Sequence, residues 1–190
     1  KGGTAINFFL RNMPRLSVDI DLTYLPIEDR ETSLANISEA LIRISSALES
    51  APEGFKVQKS KNGKRVTKLF VNNGDVQITI EPNEIIRGSV FPSSERDLSP
   101  KVEEIFEMSA SMQVMSIPDL YGGKLCAALD RQHPRDLFDV KWLLENEGIS
   151  TDIRRAFVVY LASHDRPMNE LIDPPRKNIR EIYNREFRNG

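Results

Sequence analysis

The chain has 190 residues, 39% of them hydrophobic and 28% charged, with a formal net charge of −2. That length buries a real core as one domain or two small ones, and the near-neutral balance excludes a generic polycation. Its apolar runs are too short to span a bilayer and no signal-peptide pattern appears. The short runs predict no membrane association; Cys126, the single cysteine, excludes intrachain disulfides and thiolate zinc sites, so a reducing cytoplasm is expected.

The chain opens on Lys1-Gly2-Gly3-Thr4 without an initiator methionine, and a strand delivering that glycine turn is expected to precede it. Residues 4–12 read as a short helix with Gly3 or Thr4 near its N-cap. Residues 15–24 alternate strictly. Leu16, Val18, Ile20 and Leu22 share one face; Arg15, Ser17, Asp19, Asp21 and Thr23 share the other, the pattern of a half-buried strand. Residues 32–50 predict an amphipathic helix through Leu34, Ile37, Leu41, Ile44 and Leu48. Residues 55–59, 66–71 and 76–81 read as strands, the last two joined by Asn72-Asn73-Gly74-Asp75, a hairpin signal. Residues 85–100, with Pro92 and Pro100, read as irregular. Helices are expected over 119–131, 135–145, from Thr151 or Asp152 to about His164, and over 178–187.

Asp is a poor strand former, so Asp19 and Asp21 on one strand face need a reason. Side by side they repel unless a cation lies between them, and hard ions such as Mg²⁺ are held by one or two carboxylates plus phosphates. Glu81, on the polar face of another strand, is a third acid if the two strands are neighbours. The glycines Gly2 and Gly3, the Thr4 and Ser17 hydroxyls and the Asp-x-Asp strand together suggest a metal–nucleotide site. The bland alternative is an acidic face turned to water.

In the second half, Lys124, an alanine and Arg131 fall on one helical stripe, where small residues let a phosphate or another backbone approach. Asp136 and Asp139 share a face of the next helix. They act there as a general base, as orienters of Lys124 and Arg131, or merely as partners of the helix dipole and nearby arginines. His133 and His164 show no catalytic or zinc pattern, and Met108, Met112 and Met115 are expected to pack. Two basic clusters, Lys56 to Lys68 and Arg176 to Arg188, read as solvated faces or as polyanion surfaces.

In this order, Lys1-Gly2-Gly3-Thr4, Ser17-Val18-Asp19-Ile20-Asp21-Leu22, Lys124-Leu125-Cys126-Ala127-Ala128 with Arg131, and Arg135-Asp136-Leu137-Phe138-Asp139 resemble the AbiEii/AbiGii toxin family of the nucleotidyltransferase superfamily over about residues 1–145. The resemblance implies a polymerase-β-like α/β fold. Residues 1–100 would form the nucleotidyltransferase core, and 101–190 a helical region completing the active-site cleft. It implies Mg²⁺-dependent nucleotide transfer from an NTP, with a two-metal site, to an acceptor such as tRNA, and a cognate antitoxin protein as partner. Gly3 and Thr4 resemble the triphosphate turn, Asp19 and Asp21 the metal ligands with Glu81 third, Lys124 the phosphate-binding lysine, and Asp136 and Asp139 the Arg-Asp-x-x-Asp element. Two other readings stay open: nucleotidylation of a protein hydroxyl, and an NTP-binding module without turnover.

Overall fold

The computed structural model describes residues 1–17 and 19–188, with no account of the Arg188 side chain. Val18 and the side chain of Arg188, both named in the sequence reading, therefore lie outside what is described. In chain order the elements are α1 (Gly2–Ala5), a π-helical turn (Ile6–Leu10), β1 (Ile20–Leu22), α2 (Arg30–Glu49), β2 (Lys56–Asn62), β3 (Arg65–Asn73) and β4 (Val76–Pro82). They continue as β5 (Ser94–Asp97), α3 (Pro100–Phe106), β6 (Ser111–Val114), α4 (Ile117–Arg131), α5 (Pro134–Asn146), α6 (Thr151–Ala162), α7 (Met168–Ile172), α8 (Arg180–Tyr183) and a last π-helical turn (Asn184–Arg188). The class is mixed α/β. The described residues fall into two compact units: Lys1 with those of 14–88, and 2–13 with 89–188.

The first unit is a four-stranded sheet in the order β1-β4-β3-β2, with β1 parallel to β4 and the other pairs antiparallel. Both hairpin loops have two residues. Gly63 and Gly74 take φ of 61° and 62°, the left-handed backbone these tight turns require. Helix α2 starts where Asp29 accepts a hydrogen bond from the Thr32 N–H (2.9 Å) and another from its hydroxyl (2.5 Å). The two hydrogen bonds from Thr32, the hydroxyl's above all, hold the Asp29 carboxyl below its ordinary range. Leu34, Ile37 and Leu41, three and four residues apart, line one stripe of α2 and bury against Val66, Leu69, Val71 and Ile80 of the sheet. Ile20 and Leu22 of β1 pack at the margin of the same core, as the alternation predicts. The Ser38 hydroxyl accepts from the Val66 N–H (2.9 Å), pinning α2 to β3.

Strand β1 is shorter than the alternation predicts: three residues in place of 15–24. Its pairing partner ends at Pro82, which has no N–H to continue a ladder. Upstream of β1, Leu16 is exposed and Ser17 is buried, the reverse of the sequence expectation.

In the second unit α1 begins at Gly2, so Gly3 and Thr4 lie inside the helix rather than at its cap; Gly2 itself has φ of 77°. Residues 94–97, expected to be irregular, form β5 and pair antiparallel with β6. Of the three methionines expected to pack, only Met115 is buried; Met108 and Met112 are exposed. Helix α7 was not anticipated; of its three apolar residues Leu171 is buried, while Met168 and Ile172 are exposed. Ser116 caps α4, His133 caps α5 and Ser150 caps α6.

Helices α4 and α6 meet at Gly122. A Cβ there would lie 2.9 Å from the Ala156 Cβ and 2.9 Å from the Phe157 backbone nitrogen. At Gly123 a Cβ would meet only the Tyr160 ring, at 3.6 Å. Helix propensity favours alanine over glycine by about 1 kcal/mol at both positions, whereas overpacking against backbone costs about 1–3 kcal/mol. Gly122→Ala is therefore expected to lower, and Gly123→Ala to hold or raise, the free energy of unfolding in urea. Equal midpoints for the two variants would refute the close helix crossing.

Candidate active site

The sequence-predicted site residues fall into two groups, one in each unit. In the first unit, the parallel register sets Asp21 opposite Glu81, with Ile20 opposite Ile80 and Leu22 opposite Pro82. In-register neighbours project to the same side of a sheet, so Asp21 and Glu81 share the face away from the α2 core. The Glu81 carboxylate pairs with Lys68 Nζ of β3 at 2.8 Å, which completes a cross-strand row Asp21–Glu81–Lys68. The Asp21 carbonyl accepts from the Lys1 main-chain nitrogen at 2.8 Å. Asp19 lies just before β1 and is exposed; Asp21 is half-buried. All the acidic donors here are hard oxygens, the set that suits Mg²⁺. Among the described residues no three His, Cys, Asp or Glu side chains gather closely enough to hold a metal by themselves. A magnesium ion takes only one or two carboxylates and fills its shell with phosphate and water oxygens, so the donor set fits such an ion.

In the second unit, Lys124 of α4 is buried between two aspartates of α5. Its Nζ lies 2.8 Å from Asp136 Oδ1 and 3.1 Å from Asp139 Oδ2. Arg131, the last residue of α4, reaches the other Asp136 oxygen through Nε (3.0 Å) and a terminal nitrogen (2.9 Å). The i, i+3 spacing on α5 and the i, i+7 spacing on α4 place these four charges on facing stripes. All but Arg131 are nearly wholly buried. Burial alone would raise the Asp136 pKa; the charges of Lys124 and Arg131 outweigh it and hold the carboxyl below its ordinary value.

Thr4, also in this unit, is half-buried within α1. Close by in sequence, Asn7 is fully buried and donates to the Gly3 carbonyl at 2.8 Å, while its own Oδ1 is a buried acceptor with no hydrogen-bond partner. Ser17 belongs to the first unit and is buried.

Sequence reasoning missed two further polar groups, one buried and one half-buried. Asp119 accepts from the backbone N–H groups of Val90 (2.8 Å) and Phe91 (2.9 Å), from the Ser116 hydroxyl (2.6 Å) and from the Tyr160 hydroxyl (3.1 Å). The second is the Arg11 guanidinium, which donates to the Tyr121 hydroxyl (3.1 and 2.9 Å) and forks onto Glu147. No periodicity signals either one, because their partners lie far away in the chain. Ser116 three residues before Asp119 is the only local clue, a helix start. His133, set aside in the sequence, caps α5 through Nδ1 and meets Glu186 through Nε2 at 3.1 Å. Cys126 is buried, which pushes its thiol up to about 12 and leaves it inert as a nucleophile.

A family model described as nucleotidyl transferase AbiEii toxin, type IV TA system, matches residues 1–189, past the residue 145 at which the sequence motifs stop. No curated protein matches the chain. Among solved structures, MenT4, a nucleotidyltransferase toxin from Mycobacterium tuberculosis H37Rv, superposes with a TM-score of 0.67 at 18% identity. The match covers 93% of this chain and 63% of that one, so this chain spans less than two thirds of the length of MenT4. At that identity the likeness is one of fold.

The Asp136 pairing has a pH signature. A carboxyl whose folded pKa lies below its unfolded value adds stability above the unfolded value of 3.8, and that stability is lost as the pH falls through the folded pKa. In urea unfolding, Asp136→Asn is expected to lie well below the wild type at pH 6, by about 3 kcal/mol, because Lys124 loses a buried partner. The gap is expected to narrow below pH 4. A gap independent of pH would contradict an ionised, paired Asp136.

Proposed function

The chain belongs to the AbiEii nucleotidyl transferase toxin family of type IV toxin–antitoxin systems, and from that premise we propose that it transfers a nucleotide from an NTP to an RNA acceptor with release of pyrophosphate. The observation that carries the reading is the in-register pair Asp21–Glu81 on an open sheet face, with Asp19 two residues upstream. MenT4, similar in fold, is itself described as a nucleotidyltransferase toxin.

In this reading Asp19 and Asp21, with Glu81 third, hold divalent cations of the Mg²⁺ type. When bound, such ions neutralise phosphate charge and lower the pKa of an attacking hydroxyl. The chain's own residues supply the rest. Gly2, Gly3 and Thr4 offer backbone N–H groups and a hydroxyl to phosphate oxygens, and Ser17 is a nucleotide-binding hydroxyl of the first unit. The Lys124 ammonium donates to a phosphate oxygen through the N–H that its two aspartates leave over, an ammonium having three donors. Asp136 orients Lys124 and Arg131 together, because its two oxygens engage both. Asp139, also on Lys124, holds the ammonium from the other side. A donor fixed in this way loses little entropy when an anion arrives, and such preorganisation is the largest lever in phosphoryl chemistry.

The acceptor in this reading is the end of an RNA such as tRNA. The lysines of β2 and β3 support it, since a row of cations attracts a phosphate backbone. A cognate antitoxin protein holds the activity in check, and the reducing cytoplasm suits the single buried thiol.

The test is incubation of the protein with each α-labelled NTP, Mg²⁺ and total cellular RNA or lysate. Label is expected in RNA. Asp19→Asn and Asp21→Asn are each expected to lower transfer by at least a thousandfold while the circular dichroism spectrum is kept. Label in protein would redirect the acceptor, and unimpaired transfer by both variants would discard the mechanism.

A further inference from the structure

The face of the sheet opposite α2 is polar with one exception. In register, Lys56, Asn72 and Gln77 form one row across β2, β3 and β4; Gln58, Phe70 and Thr79 form the next; Ser60, Lys68 and Glu81 form the third, which Asp21 extends onto β1. Lys56, Gln58, Gln77 and Glu81 are exposed, so this face is open to water. Among the described residues of these rows Phe70 is the only aromatic, and it is half-buried. Its ring lies 5.9 Å beneath Lys68 Nζ. A phenylalanine on the outer face of a sheet gains nothing from the core, which is filled from the other side by Leu69 and Val71.

We propose that this face seats the 3′ end of a single-stranded RNA, with a nucleobase stacked on the Phe70 ring and flanking phosphates on Lys68 and Lys56; the inference deepens the nucleotidyl-transfer reading and rests on it. An aromatic on an open sheet face is the usual platform for unpaired bases, because each base has a π-face and its polar edge stays wet. Charge placement selects a polynucleotide over a free nucleotide. Along the strands the register sets the Lys68 position two residues to one side of Phe70 and Lys56, opposite Asn72, two residues to the other, about 14 Å apart. A chain has phosphates on both sides of a base, whereas an NTP has them on one. Gln58 and Thr79, beside the ring on its two neighbouring strands, supply donors and acceptors for a base edge. The row beyond Phe70 leads through Lys68 and Glu81 to Asp21, so a strand laid this way ends at the carboxylates.

The full chain is titrated with a 5′-fluorescein single-stranded RNA oligonucleotide by anisotropy, and with each NTP by calorimetry. Phe70→Ala is expected to weaken RNA about tenfold and to leave NTP affinity unchanged. Phe70→Trp is expected to keep RNA affinity, and its added indole emission, measured against Trp142 alone, is expected to be quenched by RNA. Lys56→Glu, at an exposed position, is expected to weaken RNA and to reduce the salt slope of log affinity by about one. Wild-type RNA affinity in folded Phe70→Ala overturns the proposal, as does a loss confined to NTP. If Phe70→Ala does not fold, absence of quenching in Phe70→Trp overturns it. Failure of the transfer reading looks different: label transfer survives in Asp21→Asn, a result that leaves the RNA affinities where they are.

Discussion

The parallel register between β1 and β4 is the constraint on which the acidic face depends. Three residue pairs fix it, and they are enough only because Ile20 and Leu22 are held by the α2–sheet core while Asp21 between them is not. A slip of one residue would send the two apolar side chains to water and the aspartate into the core, at a cost of several kcal/mol for the buried charge alone. Register, not strand length, thus sets Asp21 beside Glu81. Asn83 extends the pairing by donating to the Leu22 carbonyl at 3.1 Å, just past the point where Pro82 could not.

The second unit settles its charges by the opposite strategy. Lys124, Asp136 and Asp139 are buried, and a buried charge is tolerable only when paired. Lys124 and Arg131 carry two positive charges and Asp136 and Asp139 two negative ones, so these four sum to zero. Removing either aspartate leaves a buried excess of positive charge, and removing Lys124 leaves two carboxylates in low dielectric. Such a cluster is poor value as a source of stability, since an apolar replacement would often do as well. Its persistence is easier to understand if the ammonium is held for a ligand. Asp119 shows the contrast. Its oxygens are taken up by two backbone N–H groups and two hydroxyls, and it ties the 90–91 segment to α4.

Much of this was legible in the sequence, for identifiable reasons. Helix α2 has a cap, a clean 3–4 stripe and a stop, three local signals that agree. The hairpins announce themselves through Asn-Gly pairs. The i, i+3 aspartates and the Lys124–Arg131 stripe could be placed on helix faces, and the structure brings these faces together. What could not be read depends on distant partners. The alternation of residues 15–24 promised a long strand, but pairing with β4 begins only at Ile20, and Leu16 is exposed. Strand β5 has the composition Ser-Glu-Arg-Asp, with no periodic apolar residue, and exists because β6 lies alongside. The π turn at Ile6–Leu10 follows from no propensity at all.

The two edges of the sheet carry opposite charge, and this follows from the strand order. Edge β1 bears Asp21 with Asp19 ahead of it; edge β2 bears Lys56, Lys59 and Lys61. Lysines on an exposed edge are a common guard against pairing with another chain. Lys59 is partly neutralised by Glu49 at 3.6 Å, on the side that α2 covers. Lys56, on the other side, has an open row of polar neighbours. Across three strand spacings, about 14 Å, the outer face therefore passes from lysine to carboxylate side chains, with Lys68 and Glu81 paired at the crossover. A polyanion approaching this face is drawn to the lysines of the β2 side, and cations taken up by the carboxylates of the β1 side would draw its end. Such a gradient orients a ligand as well as attracting it: the body of the strand is held at one edge, and only its end is brought to the acids at the other.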